Sequence, residues 1–290
     1  MKYEGDIIRP PSEAGSLLLQ VTVGCSHNRC TFCPAYKKKR FRIKSEEEIE
    51  EDLREASRYG TVERVFLCDG DALIIPQERL ARILASIRQH VRGVRRIGTY
   101  ANAKSILRKS VADLVRLREL GLGIVYLGVE SGSDEVLKEI DKGVDSRRMV
   151  EAALRVKEAG IPLSCTVILG LGGREGSARH AAETAEILTE IDPEYASALT
   201  LMLVPGSPLY DKYRKGEFLL PDTLGLIREL GAIVSRSRFS NCFFTSNHAS
   251  NYLPVRASMP RDRARVLELI ADVLASGGGG RLRPEYLRGL

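Results

Sequence analysis

The sequence predicts an α/β fold built on a parallel sheet, open or curled into a partial barrel. Three observations carry this. Six short apolar runs alternate with segments of helical periodicity, the pattern of repeated βα units. The runs are too uniformly apolar for half-solvated strands, so each is expected to be buried on both faces with right-handed crossovers between them. Finally, 290 residues that are 43% apolar and 28% charged can bury a full core, which excludes disordered, collagen-like and disulfide-scaffold classes.

In chain order, LLLQVTV at 17–23 reads as the first strand and leads straight into a cysteine-rich stretch at 25–33. A helix is expected over 46–59, with Ser45 and Glu48 forming a capping box, Ile49, Leu53 and Ala56 on the apolar face, and Gly60 ending it. Strand 62–68 and helix 77–91 follow, then strand 95–100, helix 109–120 and strand 123–129. Ser133 is expected to cap a short helix near 134–140, with Asp134 and Glu135 at its positive end. Helix 147–159 closes at Gly160, and strand 163–170, helix 178–190 and strand 195–204 complete six βα units. Beyond Pro221 a helix is expected at 222–237, a stretch without clear period up to 255, and a last helix at 261–275. The run SGGGG at 276–280 and the basic residues behind it predict a flexible tail.

Forty-four basic and 38 acidic side chains give a net charge of +6, spread evenly along the chain. No basic stripe with interleaved aromatics occurs, KKKR at 37–40 reads as a solvated loop, and no nucleic-acid partner is expected. No run approaches the roughly 20 apolar residues of a bilayer span, so no membrane partner is expected. The first residues carry acids and prolines in place of a signal core, which predicts a cytoplasmic protein.

Three of the six cysteines, Cys25, Cys30 and Cys33, lie within nine residues in the spacing C-x4-C-x2-C. Thiolates so placed after a strand can converge on one soft metal centre. A structural zinc site closes four ligands and a simple electron-transfer cluster uses four cysteines, so three leave one position open for a ligand. His27 as a fourth ligand of a closed zinc site is the alternative. Cys68 and Cys165 read as small core residues, and Cys242 with His248 falls short of a second site.

With Phe32 before the last cysteine and a strand before the first, Gly-Cys-Ser-His-Asn-Arg-Cys-Thr-Phe-Cys resembles the radical S-adenosylmethionine (radical SAM) superfamily. It looks like a variant found among Elongator-protein-like and oxygen-independent coproporphyrinogen oxidase-like members, with one residue more than the usual C-x3-C-x2-C. The resemblance covers about residues 17 to 210. It implies a partial (β/α)6 TIM-like barrel of the radical SAM type, here with a short C-terminal extension. It also implies a [4Fe-4S] cluster on the three cysteines, S-adenosyl-L-methionine as second cofactor, and an external one-electron reductant such as ferredoxin or flavodoxin.

The same resemblance assigns the strand ends. Asp69-Gly70-Asp71 stands where the family often has Gly-Gly-Glu, which holds the methionyl amino group; an Asx turn is the alternative. Asn102 follows the third strand in a polar run expected to face cofactor or substrate. Glu130 matches the position that binds the ribose hydroxyls, with Ser131 and Ser133 beside it; a helix-start acid is the plain alternative. Ile168, Leu169 and Gly170 match the turn that lets backbone approach the adenine, and Leu203 would line its other edge. As a dinucleotide fingerprint the Gly170–Gly173 turn fails, because no G-x-G-x-x-G results.

The expected organisation is an N-terminal arm at 1–16, the barrel at 17–210, a C-terminal extension at 211–275 covering the barrel mouth, and a flexible tail at 276–290. Within the extension, His248, Asn251 and Tyr252 form a polar–aromatic run expected to contact substrate, or else a structural loop. The reading is thus a radical SAM enzyme that cleaves S-adenosylmethionine to a 5′-deoxyadenosyl radical and abstracts hydrogen from an unidentified small metabolite, peptide or lipid. An RNA-modifying enzyme of the same class and a zinc-stabilised binding protein are the alternatives.

Overall fold

The computed structural model describes residues 1–289, so the last residue of the expected tail lies outside them. The chain divides into two units. The first holds 1–28, 35–127 and 151–163; the second holds 29–34, 128–150 and the chain from 164 onward. Among the described residues eight strands form the main sheet, four in each unit apart from the tips of two strands.

In the first unit, β1 (Leu17–Gln20) is shorter than the apolar run that predicts it. Val21 is a pivot: its N–H donates to Cys68 O and its carbonyl accepts from Lys44 N. β2 (Thr22–Val23) therefore leaves the main sheet and pairs antiparallel with β3 (Arg42–Ile43). Helix α1 (Glu46–Ala56) starts on the expected capping box, Ser45 Oγ accepting from Glu48 N and the Glu48 carboxylate from Ser45 N. It buries Ile49, Leu53 and Ala56, each large aliphatic side chain stabilising by about 1.5–3 kcal/mol. Then come β4 (Arg64–Cys68), α2 (Gln77–His90), β5 (Arg96–Ala101), α3 (Ala103–Leu107), α4 (Val111–Glu119) and β6 (Leu122–Glu130), the last three residues of β6 belonging to the second unit. The helix expected over 109–120 starts instead at a second capping box, Ser110 with Asp113, and α3 is a separate turn capped by Asn102.

β1, β4, β5 and β6 are parallel neighbours in that order. Alternation sends Leu19, Val65, Leu67, Ile97, Val125 and Leu127 to one face, all almost fully buried. On the other face Phe66, Tyr100 and Tyr126 meet edge to face, with ring centroids 5.1–6.0 Å apart. The N-terminal arm closes onto this face. Fully buried Glu13 accepts from Tyr126 Oη and Arg96 Nη2, both at 2.5 Å, and from Ser16 Oγ.

The second unit contains α5 (Asp134–Glu139), the start of α6 (Ser146–Glu158), β7 (Leu163–Leu169), α7 (Gly173–Ile191), β8 (Tyr195–Thr200), α8 (Pro208–Arg214) and α9 (Thr223–Arg236). Strand β8 ends at Thr200, four residues before the expected limit, and α7 begins five residues before its expected start. The stretch without period holds a strand, β9 (Cys242–Thr245), parallel to β8. Its partner β10 (Arg256–Met259) runs antiparallel, ahead of α10 (Arg263–Ala275). Four residues alternating buried and exposed are too short a signal to separate from loop.

The tail is tied down, contrary to its glycine-rich composition. The Arg283 guanidinium donates to the carbonyls of His248, Ala249 and Asn251, and Arg288 Nε donates to Ser250 O. A planar fork of donors suits a loop whose carbonyls have no ladder partner.

Candidate cofactor site

In the first unit the site is built on the loop after β2. Gly24 takes φ +78°, a conformation only glycine adopts cheaply. Its N–H donates to Asp69 Oδ2 at 2.7 Å, and Gly70 N donates to Gly24 O at 3.2 Å. Ser26 Oγ donates to Asp71 Oδ2 at 2.5 Å. The turn at 69–71 thus grips the chain on both sides of Cys25. A Cβ on Gly70 would lie 2.8 Å from Cys25 Cβ and 3.2 Å from its Sγ, so the backbone reaches the thiol only because residue 70 is glycine. On the far side Asn28 Nδ2 donates to Tyr36 O, and Lys37 Nζ to Asn28 O.

The two carboxylates differ from the expectation that they present acceptors to a ligand ammonium. Asp69 is fully buried, and its Oδ2 also accepts from Gln20 Nε2 and Lys39 Nζ. Its Oδ1 is buried with no hydrogen-bond partner, a costly state for a carboxylate oxygen. Asp71 accepts from Ser105 Oγ at 2.5 Å and from Asn102 N at 3.4 Å as well as from Ser26. Asn102 caps α3 through Oδ1 and reaches Ser26 Oγ with Nδ2. The expected polar run is therefore a buttress for the cysteine loop. Lys104 Nζ stands 3.4 Å from His27 Nδ1.

Burial raises the Asp71 carboxyl to about 6, outweighing the hydroxyl and amide donors that oppose it. A carboxyl whose pKa is raised on folding stabilises below its unfolded value of 3.8, and that contribution is lost as pH climbs through about 6. Urea unfolding of the apoprotein is therefore expected to show a loss of stability between about pH 4 and about pH 6.5 that Asp71→Asn reduces. An identical pH dependence in the variant contradicts this.

In the second unit, Cys30 and Cys33 are joined by a turn in which Cys33 N donates to Cys30 O at 3.3 Å. Thr31 anchors the turn, its N–H donating to Ile140 O and its carbonyl accepting from Leu209 N. Phe32 packs in one apolar cluster with Leu137, Ile140, Leu171 and Leu201, joined by Ile168 and Leu203. Three expected cofactor residues, Phe32, Ile168 and Leu203, are thus brought together. Leu169 is not among them: strand alternation sends it into the core, 2% exposed. Gly170 takes φ +90°, and a Cβ there would meet Leu220 and Leu226 at 3.0 Å.

Glu130 ends β6 with φ +66°, a strained backbone for a residue with a side chain. Its Oε1 accepts from Lys142 Nζ at 2.9 Å, and a Cβ on Gly128 would fall 2.2 Å from that oxygen. Ser131 Oγ lies 2.8 Å from His180 Nδ1 and accepts from Ser133 N. Ser133 occupies the N-cap of α5, but its side chain makes no capping hydrogen bond. His180 was missed in the sequence because it sits inside a helix whose apolar stripe explains it equally well.

The expected substrate residues are gathered at the carboxyl end of β8, though with their polar atoms engaged. Asn251, 2% exposed, accepts from Thr200 Oγ1 and donates to Ala198 O. His248 Nδ1 accepts from Ser250 N, and burial lowers its pKa. Tyr252 Oη donates to Glu285 at 2.5 Å, with the Arg288 guanidinium 4.0 Å from its ring centre. Asn251 thus ties the loop to β8, His248 braces the loop internally, and Tyr252 ties it to the tail.

Cys25, Cys30 and Cys33 are half-buried, whereas Cys68, Cys165 and Cys242 are buried. Among the described residues no group of three or more His, Cys, Asp or Glu is assembled to hold a metal ion. The motif therefore rests on spacing and access. The family model for the radical SAM superfamily matches residues 19–188, more than half of the chain. The chain belongs to the radical SAM superfamily. It is an enzyme whose cofactors are a [4Fe-4S] cluster and S-adenosylmethionine. An uncharacterized protein of Methanocaldococcus jannaschii is 28% identical over 231 residues, 75% of this chain and 68% of that one. The tRNA-2-methylthio-N(6)-dimethylallyladenosine synthase of Clostridium botulinum is 24% identical over 67% of this chain, which spans only 44% of that relative. Among solved structures, coproporphyrinogen III oxidase of Escherichia coli, a radical SAM enzyme, superposes with a TM-score of 0.58 at 16% identity, covering 76% of this chain and 52% of that one. The archaeal Elp3 of Methanocaldococcus infernus gives 0.53 at 15%, covering 91% and 63%. The likenesses to solved structures show the radical SAM fold, and they include one protein of each kind that the motif resembles. No helix among the described residues is long and apolar enough to cross a membrane.

Proposed function

We propose that Cys25, Cys30 and Cys33 hold the cluster, that Glu130 with Phe32, Ile168 and Leu203 receives S-adenosylmethionine, and that the substrate is a small metabolite, peptide or lipid. The observation that carries this is the trio of half-buried cysteines in C-x4-C-x2-C spacing, the first of them backed by the Gly70 cradle. The donor set suits an iron–sulfur cluster with one iron left open. When bound, the cluster supplies one electron to the sulfonium of S-adenosylmethionine, releasing methionine and a 5′-deoxyadenosyl radical that abstracts hydrogen from substrate.

The chain's own work is placement and exclusion of water. Asp69 and Asp71 fix the Cys25 backbone, and the apolar cluster around Phe32 offers a dry wall to a flat ring. Glu130 keeps lone pairs beyond the one engaged by Lys142, enough to accept from vicinal hydroxyls. A soluble one-electron donor such as ferredoxin or flavodoxin is the expected partner.

Glu130→Gln keeps the shape and removes charge-assisted acceptance, worth about 1.5–3 kcal/mol. Calorimetry is expected to show S-adenosylmethionine affinity falling about tenfold or more, with iron content unchanged. Unchanged affinity would remove Glu130 from the pocket. Modification of RNA is the second reading, favoured by the tRNA-modifying relatives. Deuterium transfer from deuterated bulk tRNA into 5′-deoxyadenosine would select it.

A further inference from the structure

In the second unit a buried histidine–carboxylate pair touches both strand ends that the proposed function gives to the adenosyl group. His180 is fully buried and Glu229 is 2% exposed. His180 Nε2 faces two acceptors, Ile168 O at 3.1 Å and Glu229 Oε1 at 3.3 Å, so this nitrogen carries a proton. The opposite ring nitrogen, Nδ1, meets Ser131 Oγ at 2.8 Å. Ser131 Oγ already accepts from Ser133 N, which leaves its hydroxyl proton to donate to Nδ1. Glu229 Oε1 also accepts from Gly170 N at 2.7 Å, and Oε2 from Ser177 Oγ at 2.5 Å. Two residues on α7 and α9 thereby hold the strained turn after β6 and the glycine turn after β7.

Apolar side chains would pack these helices without the desolvation cost of a buried carboxylate, so the polar pair calls for a reason beyond stability. We propose that His180 and Glu229 are positioning residues for S-adenosylmethionine, setting the Glu130–Ser131 turn and the Ile168–Gly170 turn at one fixed separation to fit its adenosyl group. The inference rests on the reading of those turns as the nucleoside pocket. Neither residue is asked to touch the cofactor or to transfer a proton.

The test uses anaerobically reconstituted holoenzyme and two probes, S-adenosylmethionine and S-adenosylhomocysteine, titrated calorimetrically. His180→Ala and Glu229→Met are each expected to weaken both probes by about tenfold, the loss of one well-placed hydrogen-bond set. Iron per chain and the electron paramagnetic resonance signal of the reduced cluster are expected to match the parent. In turnover the KM for S-adenosylmethionine rises while kcat for 5′-deoxyadenosine stays within about twofold, a split that general loosening of the fold would not give. Glu229→Met retains volume while removing the acceptor for Gly170 N–H and His180 Nε2, so it decides the matter if His180→Ala does not fold. Binding within about twofold of the parent in the folded variants overturns the inference alone. A parent protein that binds neither probe overturns the pocket reading and the inference with it.

Discussion

Replacing Cys30 with alanine is expected to abolish iron incorporation, and the same holds for Cys25 and Cys33. Three thiolates are the fewest that can hold a cluster while leaving one iron open to a cofactor, so there is no redundancy to lose. The other cysteines make the control. Cys68 is buried in β4 with its thiol raised to about 12 by burial, and Cys165 and Cys242 are buried in β7 and β9. Thiols of that kind are poor metal ligands. Alanine at any of the three is expected to leave four irons and four sulfides per chain after equal reconstitution. A full complement in Cys30→Ala, or its loss in Cys242→Ala, would show that the ligand set is wrong.

Asp69→Ala is expected to cost about 3–5 kcal/mol in urea unfolding of the apoprotein, the effect of removing one partner from a buried charged network. Lys39 Nζ, Gln20 Nε2 and Gly24 N would each lose an acceptor at once. Because Gly24 precedes Cys25, the folded fraction is also expected to take up less iron. Gly70→Ala tests the other half of the clamp, since its Cβ would sit 2.8 Å from Cys25 Cβ. Parent stability together with parent iron content in Asp69→Ala would show that the clamp has no role.

The contrast between these sites shows what was legible in the sequence. The cysteine motif, the capping box at Ser45 and the glycines that end helices are local signals, and each stands where local chemistry demands it. Phe32, Ile168 and Leu203 were placed by resemblance and meet in one cluster. The role of Asp69 was not legible, because its three donors lie 30 to 49 residues away and meet it only once β1 and β4 pair. His180 and Glu229 are hidden for a related reason: each sits within an amphipathic helix, and their partners lie on other elements. The tail was misread because composition reports the glycines and not the acceptors waiting at His248, Ala249 and Asn251.

The central claim is that this chain cleaves S-adenosylmethionine reductively at a cluster on Cys25, Cys30 and Cys33. The most direct measurement is the yield of 5′-deoxyadenosine and methionine from anaerobically reconstituted protein, with and without dithionite. The account predicts equal amounts of both products, dependent on reductant and absent from Cys33→Ala. Protein loaded with four irons and four sulfides that leaves S-adenosylmethionine intact under reduction would contradict it.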